Sequence, residues 1–290
     1  MDASGDVRAP FLPRRPTLLH FALLVLAGLA PALIGPEPLD AQRFQRRSST
    51  VRPGDGIPDV PLGFTFCRLQ YTSVRRDGSG SGWDTDFPEA EMNLLSRLPE
   101  LTSTRVSEWS HGEPGYAVVR ATDEDLYECP FLMATDVGEL GFNGAEVTAL
   151  REYLMKGGFF WADDFWGNPA WLQFSREISK VLPEHEIEDL PEDHPLFSSL
   201  YAIRDGVPQI PSINRWRASG GETSELGAAS RNPSMRAIFD DDGRILVLIT
   251  HNTDISDGWE REAYDSRYFY EFSSRAYAVA VNVLVWVLSH

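Results

Sequence analysis

Two short runs of the chain are apolar almost throughout and stop on aspartate. Pro130 to Thr135 (PFLMAT) ends at Asp136, and Gly158 to Ala162 (GFFWA) ends at Asp163 and Asp164. A continuous apolar run of this length marks a strand covered on both faces, as in a parallel sheet. Between the two runs the period changes. Val147, Leu150 and Leu154 recur at helical spacing, Asn143 and Glu146 form a capping box ahead of them, and Lys156-Gly157 supplies a terminal charge and a left-handed stop. Pro169 to Leu182 repeats the helical period with Trp171, Phe174, Ile178 and Val181 inward. Strand, helix, strand, helix with short loops predicts right-handed βαβ crossovers and a parallel sheet with helices on both faces.

The flanking segments extend this pattern. Gly63 to Thr72 (GFTFCRLQYT) reads as a strand from its aromatic and β-branched content, and a Gly/Ser-rich loop, Asp77 to Gly82, leads from it to Trp83-Asp84-Thr85-Asp86. A helix is predicted over Pro88 to Leu98, with Met92, Leu95 and Leu98 on one face, and a short strand over Thr104 to Trp109. Met235 to Phe239 and Arg244 to Thr250 flank Asp240-Asp241-Asp242-Gly243, the pattern of a β-hairpin closed by an Asp-Gly turn. The C-terminal segment is ambiguous. Val279, Val281, Val283, Val285 and Val287 alternate like a strand, while the nearly unbroken apolar stretch Ala276 to Leu288 also suits a buried helix; periodicity alone favours the strand.

Composition separates the ends from this pattern. Residues 42 to 62 mix Arg, Ser, Pro and Gly with few apolar positions and read as a flexible linker, so the folded domain is expected from 63 to 290. Ahead of the linker, Arg14 and Arg15 precede an apolar run from Leu18 to Ile34, and Leu39-Asp40-Ala41 offers a cleavage site before Gln42. Residues 1 to 41 therefore read as an export signal, with a retained membrane anchor as the alternative and a periplasmic or extracellular destination. No membrane span is expected after signal removal. A net charge of −17 repels phosphate backbones, so nucleic acid is not an expected partner. The two cysteines, Cys67 and Cys129, have no zinc or redox spacing; they suit either one disulfide or two thiols buried in separate strands.

Taken together, Arg68-Leu69-Gln70-Tyr71, Trp83-Asp84-Thr85-Asp86, Tyr127 to Asp136 (YECPFLMATD), Tyr153 to Asp164 (YLMKGGFFWADD), Asp193-His194-Pro195-Leu196-Phe197, Gly258-Trp259-Glu260 and the end containing Asn282 resemble the bacterial family catalogued as domain of unknown function 4159. That resemblance implies a class I glutamine amidotransferase-like, flavodoxin-like three-layer α/β fold in which the C-terminal stretch is a helix. It carries over no activity. True amidotransferases of that fold keep a cysteine at a strand-to-helix elbow, where this chain reads Ala162-Asp163-Asp164, so glutamine hydrolysis is not expected and fold alone supplies no other function.

Ligands of open parallel sheets bind beyond the carboxyl ends of the strands. Those ends gather Trp83, Asp84 and Asp86 after the first strand, Asp136 after a middle one, and Asp163, Asp164 and Trp166 after the next. His251, Asn252 and Asp254 after the hairpin strand, then Trp259 and Glu260, are expected on the same edge. Indoles beside carboxylates suit a carbohydrate, several carboxylates with a histidine suit a hard divalent cation, and a carboxylate pair suits hydrolysis of a glycoside. The leading expectation is a non-catalytic binding domain for a carbohydrate or other polar ligand, with a divalent cation as the one cofactor in view. The alternatives are a carboxylate- or metal-dependent envelope hydrolase and a structural domain that binds an envelope protein. Each candidate has an architectural rival: adjacent aspartates at a strand end also cap helices or close turns, and if the strand continues that far its alternation lets at most one of Asp163 and Asp164 reach a shared site. Asp193-His194-Pro195 reads first as a proline-stiffened turn.

Overall fold

The computed structural model describes residues 56–58, 63–76, 78 and 80–290; the expected export signal and most of the linker lie outside them. Seven strands form one sheet in the order β3-β1-β4-β6-β9-β8-β7, where β1 is Phe66–Leu69, β3 Tyr116–Val119, β4 Leu132–Ala134, β6 Phe160–Ala162, β7 Glu188–Asp189, β8 Ser234–Phe239 and β9 Ile245–His251. The five from β3 to β9 are mutually parallel, in a register that sets Met133 opposite Trp161 and Trp161 opposite Leu248. β8 runs antiparallel to β9, closing the expected hairpin, and β7 runs antiparallel to β8. A separate pair joins β2 (Thr72–Ser73) to β5 (Leu140–Gly141).

Strand alternation divides the core in two. Phe66, Phe131, Met133, Trp161 and Leu248 point to one face, where they meet α1 (Glu89–Leu101) and the C-terminal helix α6 (Ser266–Ser289). Cys67, Leu69, Leu132, Ala134, Phe160 and Ile249 point to the other, against α2 (Gly144–Met155) and α3 (Gly167–Val181). This is the predicted three-layer α/β arrangement, a mainly parallel sheet between helices with a strand pair and a helix toward the C-terminus, and it is consistent with a flavodoxin-like fold.

The capping box of α2 is present: Asn143 Oδ1 accepts from the Ala145 and Glu146 amides, and Glu146 returns to the Asn143 amide. The C-terminal segment is a helix, as the resemblance implied and periodicity did not. Its alternating valines fall on both sides of an almost wholly apolar cylinder, and Ala276, Val279, Ala280 and Val283 lie in the core. Its one buried amide is satisfied, since Asn282 Oδ1 accepts from Leu200 and Tyr201 and its Nδ2 donates to Tyr201 O.

One expectation is corrected and one alternative is settled. Thr104 to Trp109 makes only isolated bridges, Val106 to Phe64 and Glu108 to Pro114, because it lies beside the sheet's end rather than in it. The edge strand is instead β3, a four-residue run too short to stand out against its charged surroundings. Cys67 and Cys129 are joined in a disulfide, which settles the alternative left open by their spacing.

Candidate metal centre at the strand ends

Four segments end their strands or loops in the left-handed region, at Asp86 (φ 65°), Asp136 (φ 52°), Asp164 (φ 52°) and Asn252 (φ 59°). Aspartate and asparagine tolerate this region better than other L-residues, and strained backbone of this kind concentrates at functional sites. At Asp164 it turns the side chain out of the strand's alternation. The strand stops at Ala162, so alternation does not govern the two aspartates that follow, and both reach the same side.

Asp163 is fully buried and is held by the Thr250 hydroxyl at Oδ1 and by the Ser256 amide at Oδ2, 3.0 Å. Asp164 Oδ1 accepts from Trp166 Nε1 at 3.0 Å. Oxygens of Asp86, Asp164 and Asp254 come within 4.8 Å of one another, as do oxygens of Asp86, Asp257 and Glu260. Asp254 follows β9, and Asp257 and Glu260 belong to the single helical turn α5 (Asp257–Glu260), the next α-helix in the chain after α4 (Ile213–Ser219). Asp136 lies fully buried beside them, its Oδ2 accepting from the Gly82 amide at 2.9 Å. A Cβ on Gly80 would come 2.5 Å from that oxygen, so the loop covers it only because residue 80 is glycine.

Beneath the carboxylates is a second polar layer. Arg68, fully buried on β1, binds Glu91 of α1 and donates to the Thr135 hydroxyl at 2.6 Å. Tyr71 OH lies 2.9 Å from Thr135 O and 2.8 Å from Asp136 O, bracing the left-handed turn. Arg68 is already committed to Glu91, and Arg261 to Glu260 Oε2 at 2.6 Å.

The electrostatics follow from this crowding. Burial, reinforced by neighbouring carboxylates, pushes the carboxyls of Asp164, Asp254 and Asp257 well above the ordinary range. Burial also raises Asp163 to about 6 and Glu260 to about 7. Asp86 rises by burial too, with Arg68 opposing the shift. One contact set exposes the shortage of positive charge. Ser256 Oγ lies 3.0 Å from Asp86 Oδ2, 3.2 Å from Asp163 Oδ2 and 3.0 Å from Asp254 Oδ1. A hydroxyl has one proton and donates to one of the three. The other two contacts require a proton on a carboxyl or a cation among them.

The remaining candidates fall elsewhere. His251 is one residue beyond Thr250 and so points to the opposite face of the sheet, its ring tilted against Phe165 and Trp171 with Nε2 3.2 Å from Gly167 O. Burial lowers its pKa to about 4, which keeps it neutral and makes Nε2 the donor. Trp259 is fully buried against Trp161 and Tyr277, so it is core and not a stacking platform. Trp166 is also buried and serves Asp164. Trp83 is half-buried against Phe87, and Asp84 is exposed in the turn that follows. Asn252 ties strand to helix, accepting from the Gly167 amide at 2.8 Å and donating to Asn232 O. His194 caps its own turn through Nδ1 and the Leu196 amide, as a proline-stiffened turn would.

Sequence reasoning missed Ser256 and Asp257. The signal was present: Asp254, Asp257 and Glu260 recur every third residue, the spacing that keeps them on one side of a helical turn. The donor set is entirely carboxylate with one hydroxyl, which suits calcium, magnesium or manganese. Both cysteines are consumed by the disulfide, so neither is a thiol nucleophile. Compared with known proteins, the chain matches the family model described as "Domain of unknown function (DUF4159)" over residues 65–288, and it matches no curated protein.

Proposed function

The chain belongs to the DUF4159 family, a membership that assigns no chemistry, and from this premise we propose that it is an exported binding domain whose strand-end carboxylates hold a hard divalent cation. The observation that carries the reading is the single Ser256 hydroxyl set against three carboxylates, of which its one proton serves only one. A cation between Asp86, Asp164 and Asp254 supplies the charge that this set lacks and offsets the burial of its carboxylates. The bound ion gives an oxygen-rich ligand, such as a carbohydrate or another polar component of the envelope, a place to coordinate. The indoles contribute less than the sequence suggested, because Trp166 and Trp259 are buried. Export is supported by the N-terminal apolar run and by the Cys67–Cys129 cystine, since disulfides persist in oxidising compartments.

The test is calorimetric titration of the chelator-stripped full chain with calcium, magnesium and manganese. Saturable binding of at least one ion, weakened tenfold or more in Asp254→Asn, is the expected result. Flat titrations with all three sink the proposal. Metal-assisted hydrolysis is the second reading, favoured by the cluster's place at the carboxyl edge of the parallel sheet, since a bound ion also activates water. Turnover of phosphoester, glycoside or ester substrates that requires added ion and disappears in Asp164→Asn would establish it; no turnover with any ion rejects it.

A further inference from the structure

We propose that the cluster holds two divalent cations side by side, with Asp86 as the carboxylate shared between them. This deepens the single-ion reading above and rests on it. The carboxylates fall into two sets of three with only Asp86 in common: Asp164 and Asp254 complete one, Asp257 and Glu260 the other. Within each set the oxygens lie no more than 4.8 Å apart. Ligands on opposite sides of a calcium ion are separated by about 4.6–5.2 Å, twice the usual bond length, so each set fits around one ion. The two sets come from different places. Asp164 and Asp254 stand in the turns after β6 and β9, whereas Asp257 and Glu260 come from α5.

The second set has an independent sign of a missing partner. Asp257 is 2% exposed; its Oδ2 accepts from the Ile213 amide at 3.0 Å, while its Oδ1 has no hydrogen-bond partner. That carboxylate stands against Glu260, another acid, so the donor within reach of the pair is a proton held on one of the two carboxyls, the place a cation would take. Buried acceptors are almost always satisfied, and the group that oxygens on both sides accept is a cation. Arg261 reaches Glu260 from the surface but leaves Asp257 Oδ1 unmet. Asp86 is suited to bridge because its left-handed backbone aims the carboxylate between α5 and the β9 turn, where its Oδ2 already meets Ser256.

The experiment titrates manganese into the chelator-stripped full chain by calorimetry, with electron paramagnetic resonance on the same samples. Two equivalents per chain, with the spin-coupled signal of adjacent ions, are expected. Asp257→Asn and, separately, Glu260→Gln should each reduce the count to one and restore an uncoupled signal, while Asp86→Asn weakens both sites at least tenfold. Thermal melts in chelator verify that each variant folds, and the two second-set variants provide independent readings. One equivalent in the wild type overturns the two-ion proposal and leaves the single-ion reading standing; none overturns both. Two equivalents retained in Asp257→Asn and Glu260→Gln also overturn it.

Discussion

Asp164→Asn should stabilise this protein without metal and destabilise it with metal. The substitution is close to isosteric, asparagine tolerates the φ of 52°, and its amide oxygen still accepts from Trp166 Nε1. Only the charge is lost. Two unit charges 4.8 Å apart, the outer limit within the Asp86, Asp164 and Asp254 set, repel by about 3.5 kcal/mol at an effective dielectric of about 20. Raised carboxyls hold protons near neutrality, so this repulsion develops as pH rises. With Asp163 at about 6 and Glu260 at about 7, the stability these groups contribute to the metal-free wild type is fully present below about pH 4 and is lost as pH climbs from there through 6 to 7. In chelator, Asp164→Asn should gain on the wild type as pH rises, by about 3 kcal/mol once the Asp164 carboxyl has lost its proton, or roughly 6–12 °C in Tm for a domain of this size. In calcium at about 1,000 times the wild-type Kd the order reverses, because the ion adds about 4.1 kcal/mol to the wild type, more than the variant's gain of about 3, while the variant, its ligand set broken, takes up no ion at that concentration. Differential scanning calorimetry in the two buffers reads both arms. A variant no more stable than wild type in chelator refutes the electrostatic argument, and an unreversed order in calcium refutes the assignment of Asp164 as a ligand.

His251 predicts the opposite acid response: its pKa is about 4 folded and about 6.5 unfolded, so roughly 3 kcal/mol present above pH 6.5 disappears as pH falls to 4. His251→Phe should flatten that limb in denaturant titrations, and an unchanged acid slope counts against the burial reading. The disulfide closes a separation of 62 residues, worth about 4 kcal/mol by chain entropy, so reduction should lower the urea midpoint without altering the far-ultraviolet circular dichroism of the folded state. A midpoint indifferent to reductant excludes the Cys67–Cys129 bond. Arg68→Met should cost about 3–5 kcal/mol by stranding Glu91 in the core, and adding Glu91→Gln should recover much of it. If the double variant is as unstable as the single one, Arg68 acts by packing rather than by pairing.

The features legible in the sequence are those fixed over a few residues. The apolar runs of β4 and β6, the Asn143–Glu146 box and the Asp-Gly hairpin follow from local sterics and hydrogen bonding, so they stand where the pattern placed them. The edge on which the acids gather was legible too, because parallel strands deliver their carboxyl ends to one side. Residues that share a face of the sheet were less so. Alternation sends Thr250 to the cluster and His251 away from it, while the left-handed turn at Asp164 breaks that same alternation, and no local pattern announces which rule prevails. Trp259 shows the limit from the other side: an indole beside acids resembles a platform until the packing of Trp161 and Tyr277 encloses it. Local pattern is enough to specify a layered α/β domain with acids at one edge. That Asp86, Asp164, Asp254, Asp257 and Glu260 share one largely buried site emerges with the folded chain, because their repulsion and their desolvation exist only once folding has brought them within a few ångströms of one another.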